Sequence, residues 1–249
     1  MKYLLKIAYI GTDYCGFQAQ NNGRSIQRVL TEAADKIFSV RCRVTGCSRT
    51  DSGVHALEYY ITVEPDDGAS SIKTENIPRA MCSVLPEDIG VLSAKTVADD
   101  FHPRYSAKGK EYKYLIYTSP ARDPFFSGRA WMHFMRVGDV ELENMKKAAA
   151  HFVGEHDFTS FMSSGSSITD AVREVFAFDA EKIGDVLELR VSANGFLYNM
   201  VRIMAGTIVA VGEGRLSPDD IPGIIAACDR SRAGITAPPE GLYLNKVFY

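Results

Sequence analysis

The segment Cys47-Ser48-Arg49-Thr50-Asp51-Ser52-Gly53-Val54-His55-Ala56 gathers a guanidinium, a carboxylate and an imidazole between two strand-like runs. Arg49 stands two residues before Asp51, close enough to hold the carboxylate ionised. Gly53 admits the sharp turn that would aim that carboxylate into a cleft. The same pattern also describes an Asp-Ser-Gly β-turn with an exposed ion pair. An aspartyl phosphatase or metal hydrolase built on Asp51 would need a second carboxylate or a histidine cluster, and the segment has neither. Two residues elsewhere stand out. Arg202 lies inside the apolar run 196–211, where a lone charge requires an anionic partner or a solvated cleft. Tyr112 lies in an aromatic, β-branched run where packing is the ordinary use of a tyrosine. His55 reads equally well as a structural histidine beside the loop.

These side chains have to be positioned by regular elements, and periodicity locates them. Residues 3–10 and 40–47 read as strands, with a helix between them that starts after Ser25 and carries Ile26, Val29, Leu30, Ala33 and Ile37 at helical spacing. Strands are expected at 57–63 and 91–97, with Asn76 capping a short helix before the second. The polar stretch 98–110 marks a seam, which divides the chain into an N-terminal domain, 1–102, carrying the Asp51 loop, and a C-terminal domain, 103–249, completing the cleft. Downstream come a strand at 111–118, a helix at 140–153 and a hairpin of 172–180 with 186–193, punctuated by Gly184. A helix apolar on nearly all sides is expected over 196–211, another opens at Ser217-Pro218-Asp219-Asp220, and a strand closes the chain at 242–249. The fold class is α/β of the α+β type, in two similar halves whose largely antiparallel mixed sheets are flanked by helices.

Composition bounds the partners. The chain has 249 residues, 46% hydrophobic and 24% charged, which suits one large or two moderate globular domains. A net charge of -3 excludes a histone-like polycation but not a local basic cleft. Arg41, Arg43, Arg104, Lys108, Lys110 and Lys113 flank the loop and the seam in sequence and are candidate phosphate contacts, with a solvated charged face as the alternative. Five cysteines without CxxC spacing and no secretory leader point to the cytoplasm. The five histidines and five cysteines have no zinc spacing, so no metal is expected. No apolar run reaches transmembrane length, so no membrane partner is expected either.

The run Arg49-Thr50-Asp51-Ser52-Gly53-Val54-His55-Ala56 resembles the Arg-Thr-Asp-Ala-Gly-Val-His-Ala block that holds the catalytic aspartate in the tRNA pseudouridine synthase A family. Collinear blocks extend the likeness over nearly the whole chain: Tyr9 to Gln18, Ser25-Ile26-Gln27, Phe101 to Ala107, Glu111 to Tyr114, Gly154 to Phe161, Ala193 to Arg202, and Ala237 to Leu244. Three positions depart from the family pattern: Ser48 where Gly is usual, Ser52 where Ala is usual, and Phe17 where Trp is common. None removes an acid, a base or a guanidinium.

The resemblance implies the pseudouridine synthase fold and isomerisation of uridine to pseudouridine at positions 38, 39 and 40 of the tRNA anticodon arm. It implies a homodimer and no metal or organic cofactor. The reaction breaks a carbon–nitrogen glycosidic bond, turns the uracil in place and rejoins it through carbon, so no atom is gained or lost. Asp51 would act as a nucleophile towards the anomeric carbon or assist proton removal on a glycal route. The resemblance assigns Arg202 the pairing with Asp51, Arg49 the displacement of the target base, and Tyr112 a ring that stacks on uracil with a hydroxyl placed to manage a proton. A noncatalytic RNA-binding or folding factor on the same scaffold is the competing function, and retention of Asp51, Arg49, Tyr112 and Arg202 favours the enzyme.

Overall fold

The structure, a computed structural model, describes residues 1–20, 23–66, 72–165 and 170–249. The chain divides into two compact units: residues 1–108 with 243–249, and residues 109–242. The sequence seam stood at 102/103, six residues earlier, and the closing strand was expected in the second half.

The first unit contains β1 (Lys2–Tyr9), α1 (Ile26–Phe38), β2 (Cys42–Gly46), β3 (His55–Pro65), α2 (Ile77–Cys82) and β4 (Ile89–Val97). That is a βαββαβ succession. β1 sits between β4 and β3, antiparallel to both, the split βαβ arrangement. The outer edge of β3 is long enough to pair twice. It meets β2 antiparallel through Ile61 to Pro65, and β10 (Leu242–Phe248) parallel through His55 and Ala56. α1 forms because its apolar residues recur on one face, burying Ile26, Leu30, Ala33, Ala34 and Phe38. Ser25 caps it, its side chain accepting the Arg28 N–H at 3.4 Å. Leu5, Ile7, Tyr59, Ile61 and Val63 are wholly buried where β1 and β3 run side by side. Asn76 departs from expectation: its side chain makes no cap, because a 3-10 turn over Thr74–Asn76 leads directly into α2.

The second unit contains β5 (Gly109–Tyr117), β6 (Trp131–Met132), α3 (Asp139–Ala150), β7 (Gly154–Asp157), β8 (Val172–Ile183), β9 (Val186–Ala193), α4 (Met200–Gly212) and α5 (Ile221–Ala226). Its sheet order β5-β9-β8-β7 is antiparallel throughout, and β6 adds a short parallel pairing to β5. β8 and β9 form the expected hairpin around Gly184 and Asp185. Both units are thus largely antiparallel sheets carrying helices, in keeping with an α+β class, although their connectivity differs. α4 starts at Met200 rather than at 196, because Asn199 adopts a left-handed φ of 60° that no helix continues through. Of the 13 residues of α4 every one but Arg202 is buried, so this is the buried helix the composition demands. Ser217 opens the next turn as expected, accepting from the Asp219 N–H while the Asp220 carboxylate accepts the Ser217 N–H at 2.8 Å.

Candidate active site

The Asp51 loop connects β2 to β3, and its backbone is held by the segment that follows β1. Residues 51–54 form a turn closed by the Val54 N–H on the Asp51 carbonyl at 3.2 Å. Gly53 takes a φ of +78°, which a side chain would resist. Tyr14 then clamps the turn: its carbonyl accepts both the Gly53 N–H at 3.3 Å and the Ser52 hydroxyl at 3.1 Å. One residue upstream, the buried Thr50 hydroxyl shares a 2.7 Å hydrogen bond with the Tyr9 phenol. Its carbonyl accepts the Phe17 N–H at 3.1 Å. The approach is so close that a Cβ on Gly16, itself at φ +99°, would stand 2.6 Å from the Thr50 oxygen. Tyr59 supports the near end, its hydroxyl donating to the Ser48 carbonyl and its ring stacked 4.5 Å from Phe17.

The result is a half-exposed carboxylate on a backbone fixed from both sides. Arg49 is exposed beside it. A guanidinium on the surface of a rigid loop is available to a ligand, whereas one folded into the core would not be. His55 is buried and structural: its Nδ1 accepts the Gly11 N–H at 3.0 Å, and its ring stacks 4.6 Å from Tyr243. That arrangement ties the exit of the loop to β10. The Tyr14 phenol donates to Asp88 at 2.7 Å; its burial first and this carboxylate second raise its pKa.

Tyr112 and Arg202 belong to the second unit. Tyr112 is buried on β5, opposite Val191 of β9, with its ring edge-on to Phe196 at 5.0 Å. Hydrogen bonds to two neighbouring segments hold the Arg202 guanidinium. Nε donates to the Ala237 carbonyl at 2.7 Å and Nη1 to Asn199 Oδ1 at 2.8 Å. The Ala237 N–H returns to the Arg202 carbonyl at 3.1 Å, so the strap at 237 and the first turn of α4 lock each other. Nearby, the buried Tyr114 phenol donates to the Pro238 carbonyl at 2.6 Å, and burial drives its pKa upward.

The basic residues lie on three separate segments. Arg41 and Arg43 are exposed, but at the end of β2 away from the loop, Arg43 lying in register with Glu64. Strand rise of ~3.3 Å per residue puts Arg41 about 17 Å from Gly46. Arg104 and Lys108 are exposed on the segment that leads out of β4, while Lys110 and Lys113 lie on β5. Lys113 is 3.5 Å from Glu188, so its charge has a partner within the sheet. Sequence reading missed the clamp formed by Tyr9, Tyr14 and Thr50. The glycines at 11 and 16 in the opening segment were the available signal, since both mark close backbone approach. Among the described residues no group of three or more His, Cys, Asp or Glu is placed to hold a metal ion. No helix among them is long and apolar enough to cross a membrane.

Comparison with known proteins defines the class to which this arrangement belongs. The family model described as tRNA pseudouridine synthase matches residues 6–106 and 148–249, which include Arg49, Asp51, Arg104 and Arg202. A protein named tRNA pseudouridine synthase A from Thermoanaerobacter sp. (strain X514) is 44% identical over 246 residues, spanning 99% of this chain and 98% of the relative. Namesakes from Caldicellulosiruptor saccharolyticus (45% over 246 residues, 99% of this chain and 98% of the relative) and Staphylococcus aureus strain MRSA252 (38% over 248 residues, 100% and 92%) agree. A solved Cbf5-Nop10-Gar1 complex is similar only at a TM-score of 0.40 and 14% identity over 96% of this chain and 57% of that one, too loosely to define the fold. The chain belongs to the tRNA pseudouridine synthase family. It is an isomerase acting on tRNA.

Proposed function

We propose that this isomerase converts uridine to pseudouridine at positions 38, 39 and 40 of the tRNA anticodon arm, with Asp51 as the reacting carboxylate. The observation that carries the reading is the clamped turn. Asp51 lies on a turn fastened by hydrogen bonds to the Tyr14 carbonyl and the Phe17 N–H, with the Tyr9 phenol on the neighbouring Thr50 hydroxyl, next to an exposed guanidinium. Preorganisation of that kind favours a group that must meet a reacting carbon in one geometry. A stacked uridine is out of reach, so extrusion from the arm precedes chemistry, and Arg49 takes the vacated place in the stack. Tyr112 offers its ring to the uracil, and Arg202 pairs with Asp51 to keep it ionised. Arg104, Lys108, Lys110, Arg41 and Arg43 contribute phosphate contacts, which position RNA without reading its sequence. The N-terminal part supplies the aspartate loop, and the C-terminal part completes the cleft and the dimer.

The reaction as written needs no cofactor, because isomerisation exchanges no electrons with a second substrate. The enzyme acts in the cytoplasm as a homodimer on a substrate comparable in size to its own subunit. Pseudouridine mapping in tRNA from cells lacking the protein, and in transcripts treated with the pure enzyme, tests the site. Loss and restoration at 38, 39 and 40 are expected, and modification confined to another arm would overturn the assignment. Light scattering on active enzyme at micromolar concentration should give twice the subunit mass, and an active monomer would refute the dimer.

A further inference from the structure

The segment that follows β4 carries a large ring that the fold does not use. Tyr105 is 77% exposed. The His102 ring lies 4.4 Å from it at an interplanar angle of 36°, and the Arg104 guanidinium carbon lies over it at 5.9 Å. The turn beneath is rigid. His102 Nδ1 accepts the N–H groups of Arg104 at 3.1 Å and Tyr105 at 3.3 Å. The Ser106 N–H reaches the His102 carbonyl at 2.9 Å, and the His102 N–H reaches Ser106 Oγ at 3.2 Å. Tyr249 anchors the whole from below, its hydroxyl on the Pro103 carbonyl at 2.8 Å and its ring 5.4 Å from Phe101.

An exposed aromatic ring on so fixed a turn loses little entropy when it binds. Its occupant follows from the company it keeps. A ring flanked by an imidazole and by the Arg104 guanidinium offers a planar surface with one fixed positive charge beside it, which suits the face of a nucleobase and repels no phosphate. Arg104 and Lys108 are exposed on either side of it in sequence, with Asp99 and Asp100 the nearest acids upstream. Paired bases present only their edges, so the occupant has to be unpaired. We propose that Tyr105, with His102 and Arg104, is a stacking platform for one unpaired base of the tRNA, whose flanking phosphates are held by Arg104 and Lys108. This rests on the tRNA reading above and adds a contact outside the Asp51 loop.

The test compares Tyr105→Ala, Tyr105→Phe and Arg104→Ala with the wild type, measuring the Kd for an unmodified tRNA transcript and for a blunt RNA duplex across a salt series. Stacking of one base predicts about tenfold weaker tRNA binding by Tyr105→Ala with an unchanged salt slope. Tyr105→Phe restores the affinity because it keeps the ring. Arg104→Ala weakens binding and lowers the salt slope by about one. Duplex binding does not respond to Tyr105→Ala. A 2-aminopurine placed in the unpaired loop is quenched on binding wild type and not on binding Tyr105→Ala.

Wild-type affinity in Tyr105→Ala overturns the platform, as does an equal loss in Tyr105→Phe or an equal loss on duplex. Melting curves for the variants guard against a folding defect, and an exposed ring should leave the midpoint in place. If the ring dependence holds while no pseudouridine forms at 38 to 40, the platform stands and the catalytic reading fails. The reverse pattern sinks the platform alone.

Discussion

At the scale of single residues the site separates charge from geometry. Asp51 supplies a carboxylate, while Tyr14, Thr50 and Gly53 supply the backbone path that presents it. Asp51→Asn should therefore abolish pseudouridine formation and leave the melting temperature and most tRNA affinity unchanged, because the amide fits the same turn without the charge. Substantial turnover by that variant, measured in single-turnover reactions, would remove Asp51 from the mechanism. Arg49 is separable in the same way. Arg49→Lys keeps the positive charge and much of the salt-dependent affinity but lacks the planar fork, so turnover should fall far more than binding. Were Arg49 only one member of a surface ion pair, the substitution would cost about 0 to 1 kcal/mol of stability and leave the rate alone. Ser52 is the family departure with a visible effect: its hydroxyl adds a bond to Tyr14 that alanine would lack.

At the scale of elements the position of Arg202 depends on how closely α4 meets the strap at 234–237. Gly206 lets the strap touch the helix: a Cβ there would lie 2.0 Å from the Ile235 carbonyl oxygen. Thr207 fastens the same contact, its hydroxyl accepting the Gly234 N–H at 2.9 Å. Alanine at 206 would gain up to about 1 kcal/mol of helix propensity. The clash is with backbone and cannot rotate away, and overpacking of this kind costs about 1–3 kcal/mol. We expect Gly206→Ala to lower stability in denaturant titrations and to lower turnover as well, since Ala237 holds Arg202 by its carbonyl. Unchanged turnover in a destabilised variant would show that the strap does not set the arginine.

At the scale of the whole molecule, stability should fall on the alkaline side. Burial raises the pKa of Tyr14, Tyr60, Tyr114 and Tyr249, and it pushes the Cys42 thiol from its ordinary 9.0 up to about 11. In the unfolded chain these groups lose their protons at ordinary values, so between pH 9 and 11 the native state binds more protons than the unfolded one. Stability is therefore fully present below about pH 9 and falls as pH rises through that window. Melting temperatures measured from pH 7 to 11 should stay level and then drop beyond 9. A level profile to pH 11 would contradict the buried, protonated state of these groups.

Periodicity and capping chemistry are local, and they were enough to read α1, the β8–β9 hairpin and the buried character of α4 from the chain alone. Of the candidate site residues only Arg202 stands out by local chemistry, as a charge inside an apolar run. Asp51, Arg49 and Tyr112 are singled out by the family resemblance, since their local patterns equally describe a β-turn ion pair and a packed strand tyrosine. The apolar run points to a helix from 196, yet α4 starts at Met200, since only the backbone at Asn199, left-handed at φ 60°, shows where the helix cannot extend. The second pairing edge of β3 and the return of 243–249 to the first unit were equally hidden, because a contact between residues nearly 190 positions apart leaves no periodic trace. Tyr14 and Tyr9 looked like ordinary aromatic residues in sequence. Folding made them the clamp on the aspartate turn, because hydrogen bonds to a distant loop depend on which chain segments pack side by side, and only the tertiary structure decides that.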